Sequence, residues 1–326
     1  MAGRARRMAL VGVVIAAGAA GTLLWNEWRL ARQFSALGEA ETSLAQGDGA
    51  AVYRTGEARA SGPARDPEFG VVVQALRLDR TAETYQWIEH REGSGDNKVL
   101  RYERVWSPVL IPSQRFEQRS THVNPPRLRV ADARFTGGKV LLDGLALDPA
   151  LVDRLPATRE LFPERERPLA AEGLAFRRDR DWLYSGDPQE PRIGDVRVRF
   201  AAAPEGRVSV VAAEADGRLV PWRGRSGAVA ALAAYGDVPA AELLGAAARG
   251  DWREGWALRG FAGLALTMGV FFASPALADR LGGAPAFRGG RRIGTILLLG
   301  VGLSALVCAA GWIGARLLLA LGPGGA

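Results

Sequence analysis

The chain has 326 residues and a formal net charge of +7, from 42 Lys and Arg residues against 35 Asp and Glu residues. Almost all the cations are arginines, since Lys98 and Lys139 are the only lysines, and acidic residues are interspersed among them. A surface of mixed sign is typical of solvated protein and not of a phosphate-binding stripe, so we expect no nucleic-acid partner. The single cysteine, Cys308, excludes an intrachain disulfide.

The N-terminus predicts a signal anchor. Residues 1–7 form a basic leader, and Met8–Trp25 is an uncharged apolar run close to the roughly 20 residues that a membrane-spanning helix needs. A cleaved signal peptide is the alternative, because Ala16–Gly21 offers small residues for cleavage. The apolar run continues past them, which favours a transmembrane helix over 8–25. Apolar residues at helical spacing in Glu27–Ala45 predict that this helix continues outward.

Residues 26–259 are predicted to form a strand-rich α+β domain outside the membrane. Alternating or β-branched apolar runs predict strands, and Gly, Asn and Asp clusters mark the turns between them. The clearest unit is a hairpin in which Thr84–Arg91 and Val99–Trp106 flank the turn Glu92–Lys98. Further strands are predicted at Gly70–Leu78, Lys139–Leu147, Asp195–Phe200, Val208–Ala213 and Arg218–Trp222.

Helices are predicted within and at the end of this domain. Pro149–Arg165 is expected to form one or two inserted helices, because its leucines recur at helical spacing. Asp237 followed by Pro239 predicts a helix start with an N-cap and a first-turn proline. The helix Pro239–Arg249 then leads the chain to the membrane.

Two further apolar runs, Gly260–Ala278 and Ile293–Ile313, predict the second and third transmembrane helices. Residues 279–292 between them form a short basic loop. After Ile313 we expect a turn and a short apolar tail over 314–326, re-entrant or interfacial, because Arg316 interrupts the run. The predicted fold class is therefore integral membrane α-helical spans plus an α+β, strand-rich extramembrane domain.

The arginines also predict orientation. Short segments rich in Lys and Arg stay on the cytoplasmic side of a membrane. The leader 1–7 carries three arginines, and the loop 279–292 carries four against one aspartate. Both are therefore expected to be cytoplasmic, and residues 26–259 extracytoplasmic or lumenal. The expected location is a cell or inner membrane in a bacterium, or the endoplasmic reticulum or inner nuclear membrane in a eukaryote.

Residues able to hold a metal are scarce. The only histidines are His90 and His122. A metal site at His90 would need Glu89, Glu92 or Asp96 to converge on it. Successive strand residues point to opposite faces, so an exposed polar strand end is the favoured interpretation of His90.

A catalytic triad of Ser120, His122 and Asp132 can be written, but no sequence pattern positions it. Nucleophile-elbow, phosphate-loop, dinucleotide and zinc-binding motifs are absent from the sequence. We therefore predict no catalytic, cofactor-binding or metal residues, no cofactor and no enzymatic activity. A membrane-bound hydrolase using His90 or His122 is the least favoured alternative.

The apolar runs themselves contain no Asp, Glu, Lys or Arg. Transporters usually need ionisable groups within the membrane, so a transport role is disfavoured. Small residues recur at helical contact spacing, which favours close helix packing within or between chains. The alternative is that these residues only follow from the Ala- and Gly-rich composition. The small residues concerned are Gly12, Ala16, Ala20, Gly300 and Ser304.

Five parts of the sequence carry a resemblance: Tyr85–Glu89 with Arg101–Trp106, Ser113 and Phe116 with His122–Pro125, Tyr184–Pro188 with Ile193–Phe200, Trp256 with Gly260–Phe271, and Ala309–Trp312. In this order they resemble the transmembrane protein 43 (LUMA) family. The resemblance covers most of the chain from Val71 onward. Family members usually continue into a fourth span, for which only Ala315–Leu321 remains here.

This resemblance implies a scaffold that organises membrane proteins or membrane structure, with other membrane proteins and further copies of itself as partners. It also implies that His122, Asn124 and Gly194–Asp195 form a structural turn leading into strands, not an active site. The alternative function is a lipid- or ligand-binding membrane protein, in which the β-rich domain holds a ligand near the bilayer.

Overall fold

A computed structural model describes residues 2–93, 98–161, 169–280 and 291–321. Its helices are α1 (Ala2–Gln46), α2 (Pro149–Val152), α3 (Ala240–Arg280) and α4 (Arg291–Leu321). Within these residues the strands are β1 (Val52–Ala60), β2 (Ala64–Asp66), β3 (Val71–Val73), β4 (Arg77–Glu92), β5 (Val99–Ser107), β6 (Ala133–Thr136), β7 (Val140–Leu142), β8 (Leu145–Leu147), β9 (Arg159–Leu161), β10 (Leu169–Ala171), β11 (Leu174–Asp179), β12 (Trp182–Tyr184), β13 (Val196–Ala203), β14 (Gly206–Ala215), β15 (Arg218–Val220), β16 (Trp222–Arg223), β17 (Val229–Ala230) and β18 (Leu232–Tyr235).

Five strands close into a small barrel in the order β1-β7-β8-β15-β14, with β14 pairing back to β1. All neighbours are antiparallel except β15 and β8, which are parallel. Alternate residues of these strands fill the interior, as in other small barrels. The short helix α2 covers this interior with Leu151 and Val152, both almost fully buried. Five strands around a helix-capped interior resemble the small barrel of OB-type domains.

A second sheet, in which all the described strand pairs are antiparallel, is built around the long strand β4. Its order is β10-β11-β12-β13-β4-β5, with β6 beside β4 and β9 beside β13. Its core is aromatic at the centre, where the ring of Phe69 meets those of Phe176 and Phe200 with centroids 5.2 and 5.5 Å away. The α+β, strand-rich domain predicted from the sequence is confirmed.

Among the described residues, three helices are long and apolar enough to cross a membrane, namely α1, α3 and α4. α1 has 45 residues and is about 68 Å long, more than twice the roughly 30 Å of bilayer hydrocarbon. α3 runs antiparallel to α1, because Gly12 meets Ala273 whereas Leu30 meets Gly255. α3 also runs antiparallel to α4, because Gly263 meets Ser304 whereas Thr267 meets Gly300. α1 and α4 are therefore parallel to each other. The predicted class of helical spans plus an extramembrane domain is confirmed.

The outward ends of α1 and α3 belong to the core of the folded domain. Ala36 and Leu37 of α1 and Leu243 of α3 are buried against Val211 of the barrel strand β14. No loop separates span from domain along α1, since the helix is continuous from Ala2 to Gln46. The predicted continuation of the first span through Glu27–Ala45 is confirmed.

The hairpin predictions are confirmed and some strand ends are corrected. β4 pairs with β5 from Thr84↔Ser107 to Glu92↔Val99, and part of the predicted turn, 94–97, lies outside the described residues. The predicted strand Gly70–Leu78 is divided into β3 and the start of β4. Between these two strands, Leu76 is buried in the barrel core. There Leu76 N–H donates to the carbonyl of Ala203.

The inserted helices predicted over Pro149–Arg165 are mostly wrong. Helix α2 has only four residues, and its N-cap Asp148 accepts a hydrogen bond from Ala150 N–H. Pro156 cannot donate within a helix, and Arg159–Leu161 instead form β9, which pairs with Phe200–Ala202 of β13 beyond the residues that pair with β12. Residues 162–165 lie outside the described part of the chain.

Two helix ends also differ from prediction. Asp237 is not the N-cap of α3, because its carboxylate accepts hydrogen bonds from Thr55 and Arg207 of neighbouring strands and the helix begins at Ala240. The turn predicted after Ile313 is absent, since α4 continues to Leu321. Residues 281–290 of the basic loop and residues 322–326 of the tail lie outside the described part of the chain.

Candidate functional site

The histidines are not brought into a catalytic arrangement in the described residues. His90 Nε2 lies 3.4 Å from Glu103 on an exposed part of the hairpin. His122 Nδ1 contacts the Thr121 hydroxyl at 3.0 Å, and its ring stacks on Tyr102. Asp132 accepts a hydrogen bond from Ala82 N–H. No hydrogen bond joins Ser120, His122 and Asp132 in this part of the chain, and no group of three potential metal ligands occurs within it.

Glu89 lies on the opposite face of the hairpin from His90 and anchors a loop. Its carboxylate accepts hydrogen bonds from the Tyr102 hydroxyl, the Glu117 N–H and Arg91. Desolvation alone would raise the pKa of Glu89, but these hydrogen bonds lower that pKa to about 2. Glu89 is therefore held as a carboxylate by its neighbours, which stabilises the loop that follows β5.

Asn124 holds the same loop on the sheet. Its side-chain oxygen accepts from Trp87 N–H at 2.7 Å, and its amide donates to the carbonyls of Trp87 and Ile111 at 2.9 and 3.0 Å. Asn124 N–H donates to Ser113 Oγ at 3.0 Å. All these partners belong to the strand and loop themselves, so Asn124 fixes local structure.

Gly194 and Asp195 form a tight turn before β13. Gly194 has a φ of +93°, and its N–H donates to the carbonyl of Tyr85 on the neighbouring strand β4. The Asp195 carboxylate accepts from Arg192 N–H at 2.7 Å and lies where a side chain on Gly186 would stand. These contacts connect the turn to β4 and are structural.

The three long helices pack through small residues. A side-chain carbon on Gly12 would lie 2.6 Å from Ala273 N and Gly269 O, and one on Gly269 would lie 2.7 Å from Ala16 N. α3 and α4 meet in the same way, because a side-chain carbon on Gly300 would lie 2.3 Å from Thr267 Oγ1. The small-residue spacing in the first and third spans therefore serves close packing between helices of this chain.

A buried ion pair lies between the helices where the apolar runs end. The Arg259 guanidinium of α3 donates two hydrogen bonds to the Glu27 carboxylate of α1, at 2.6 and 2.7 Å. The Glu27 side chain is 1% exposed and that of Arg259 is 14% exposed. Asn26 donates to the carbonyl of Gly255, and Gly311 of α4 packs against Glu27. Together, Asn26, Glu27 and Arg259 are the polar cluster of the bundle.

Aromatic rings surround this polar cluster on all three helices. Trp252 and Trp256 of α3 lie edge to face at 5.8 Å, and Arg259 lies over both rings. Phe34 of α1 touches Trp252 and, at 6.1 Å, Trp312 of α4. Tryptophan and arginine favour the headgroup zone, so these rings mark the membrane–water interface beside the folded domain.

The polar cluster was not predicted from the sequence, because only ionisable residues inside the apolar runs were considered. Glu27 lies two residues beyond the first run and Arg259 one residue before the second. A signal was available, since Asn26 and Glu27 stand between Trp25 and Trp28, residues otherwise suited to a membrane interface. The pairing itself required knowing that α1 and α3 are antiparallel with these residues at one level.

Comparison with known proteins gives a family match over most of the chain. The family described as Transmembrane protein 43 matches residues 84–317. Transmembrane protein 43 of Homo sapiens is 29% identical over 298 residues, covering 85% of this chain and 74% of its own. The Mus musculus protein is 28% identical over 290 residues, covering 82% and 72%, and the Drosophila melanogaster homolog is 26% identical over 292 residues, covering 81% and 75%. No solved structure matches the chain. Because the family match extends over more than half of its residues, this membrane protein belongs to the transmembrane protein 43 family.

Proposed function

We propose that this protein is a non-enzymatic membrane scaffold that holds its folded domain at a set height and orientation above the bilayer. The observation that carries the proposal is the continuity of α1 and α3 from the helix bundle into the domain core. A domain joined to the membrane by two unbroken, packed helices cannot swing as one on a flexible linker does. Such a domain presents a constant surface to neighbouring membrane proteins.

Contacts between the domain and α1 support this rigid attachment. The indole N–H of Trp222 donates to the Ala36 carbonyl at 3.0 Å, and Gly224 approaches Ala36 so closely that a side chain would not fit. Arg32 donates to the Ser226 carbonyl at 2.8 Å, and Ser226 donates back to the carbonyl of Arg32. The turn between β16 and β17 is thereby fastened to the helix just outside the aromatic rings.

The same proposal includes self-association through the spans. The outer face of α4 exposes large apolar side chains, with Leu298 77%, Val301 65% and Leu306 66% exposed. A second copy could cover this face as well as lipid does. The folded domain is proposed to be extracytoplasmic or lumenal, because the arginine-rich leader and the loop 279–292 favour the cytoplasm.

Proximity labelling tests the scaffold and its orientation together. The same labelling enzyme is fused to the N-terminus of the full chain in one strain and inserted at the Asp216–Gly217 turn in another, and the labelling activity of the two strains is made equal. We expect the domain fusion to label extracytoplasmic or lumenal parts of membrane proteins and the N-terminal fusion to label cytoplasmic ones. Crosslinking in the same native membranes should give dimers or higher species. A solitary monomer without labelled membrane neighbours would contradict the proposal.

A further inference from the structure

A groove opens beside the aromatic rings, on the side of the folded domain. It lies between the outward part of α1, the end of α4 and the turn from β16 to β17, and encloses about 600 Å³. We call it the interfacial groove. Its lining includes Phe34, Glu39, Arg223, Arg225 and Arg316, which come from three separate parts of the chain.

The interfacial groove lies at the level of lipid headgroups. Phe34, which lines it, touches Trp252 and Trp312, so its inner end meets the aromatic rings that mark the interface. Arg316 lies over the ring of Trp312 at 5.2 Å. Ile313 and Leu306, on the bilayer side of Arg316 along α4, are 59% and 66% exposed, so an apolar surface leads along α4 to the groove. The groove is therefore open to the bilayer as well as to water.

The charges of the interfacial groove favour an anion. Three arginines line it against two carboxylates, so its formal charge is positive, and both carboxylates accept hydrogen bonds from protein groups. Glu39 accepts from Ser35 Oγ at 3.0 Å and from Arg225 N–H at 2.7 Å. Asp48 accepts from Ser43 Oγ and from Ala50 N–H. Arg223 and Arg316 are both exposed and both line the groove.

We infer that the interfacial groove binds the headgroup phosphate of an anionic phospholipid from the leaflet beside the folded domain. Guanidinium groups match phosphate in geometry and form paired, charge-assisted hydrogen bonds with it. Basic pockets next to transmembrane helices bind anionic headgroups by the same chemistry. Arg223 and Arg316 would hold the phosphate, while the acyl chains extend towards the bilayer core along Ile313 and Leu306 of α4. The inference does not depend on the scaffold proposal, since a monomer has the whole groove.

Native mass spectrometry of the full-length protein in neutral detergent tests this inference. The protein is titrated with phosphatidylglycerol, with phosphatidylcholine and with inorganic phosphate. We expect phosphatidylglycerol to bind several-fold more tightly than phosphatidylcholine. The double variant Arg223→Gln/Arg316→Gln should lose roughly tenfold or more in affinity, about the value of one charge-assisted hydrogen bond.

Two control variants keep the result interpretable. Arg218→Gln removes an exposed arginine of the barrel, 54% exposed, and should bind like the wild type. Arg316→Lys keeps the charge and should retain most of the affinity, which excludes a general folding defect. Equal affinity for the two lipids, equal affinity of the double variant and the wild type, or inorganic phosphate displacing the lipid at matched concentration would each overturn the inference.

Discussion

At the scale of single residues, polar groups at the bundle and the hairpin are held by several partners each. Glu27 has two hydrogen bonds from Arg259, and Glu89 has three donors on the hairpin. A buried charge without its partner is far more costly than a pair, because its desolvation is then uncompensated. Removing Glu27 should therefore destabilise the helix bundle, and removing the charge of Glu89 should destabilise the loop that it anchors on the hairpin.

Glu27→Gln should destabilise the helix bundle strongly. Arg259 would keep its charge between α1 and α3 without a counter-ion, and removal of one partner of a buried pair costs about 3–5 kcal/mol. The measurement is the unfolding free energy of the full chain in detergent. The double variant Glu27→Leu/Arg259→Met is the control and should be milder, because no unpaired charge is left. A double variant as unstable as the single one would refute this account.

Acid should weaken the loop that Glu89 anchors. The pKa of Glu89 is lowered to about 2 from an ordinary value of 4.5, so the native state favours the carboxylate. The stabilisation is complete above pH 4.5 and is lost as the pH falls towards 2. Limited proteolysis within residues 108–121 at decreasing pH measures this loss. Glu89→Gln should remove the dependence, whereas Glu92→Gln at the exposed strand end should leave it unchanged.

At the scale of elements, helix spacing is set by a few glycines. α1 and α3 approach at Gly12 and Gly269, and α3 and α4 at Thr267 and Gly300. Membrane helices gain little from burying apolar side chains away from lipid, so close backbone packing carries more of their association. Glycines that contact no other helix have no such role, so a glycine of this kind on the same helix can serve as a control for each contact.

Gly12→Ala should weaken the contact between α1 and α3, whereas Gly18→Ala should not. The added carbon at position 12 would lie 2.6 Å from Ala273 N and Gly269 O, but nothing lies within 4 Å of the same carbon at position 18. Overpacking of this kind typically costs about 1–3 kcal/mol. Unfolding midpoints in detergent compare the two variants. Equal midpoints for the two variants would contradict the prediction that the close approach of α1 and α3 needs glycine at position 12.

At the scale of the whole molecule, the end of α4 lies on the side of the folded domain. Phe34 of α1, already outside the first apolar run, touches Trp312, and Arg316 lines the same groove as Glu39. Since α1 and α4 are parallel, Leu321 and the folded domain are at one end of the bundle and Arg6 is at the other. Leu321 is therefore expected on the same side of the membrane as the folded domain.

Cysteine labelling in sealed membranes should reproduce that arrangement. In a Cys308→Ala background, Ala320→Cys and Arg218→Cys should react with an impermeant maleimide from the same side. Arg6→Cys should react only from the other side or after the membrane is opened. All three positions are exposed. Labelling of Ala320→Cys together with Arg6→Cys would contradict the parallel course of α1 and α4.

The sequence alone determined the class of this protein. Uncharged runs of spanning length, arginine-rich flanks and alternating strand patterns are local properties, so the three long helices, the β4–β5 hairpin and the family resemblance were predictable. Its tertiary structure alone decided the barrel, the strand β9 in place of a helix, and the pairing of Glu27 with Arg259. Those features join residues far apart in the chain, and only packing brings such residues together. The interfacial groove belongs to the same group, because Phe34, Arg223 and Arg316 share no local pattern.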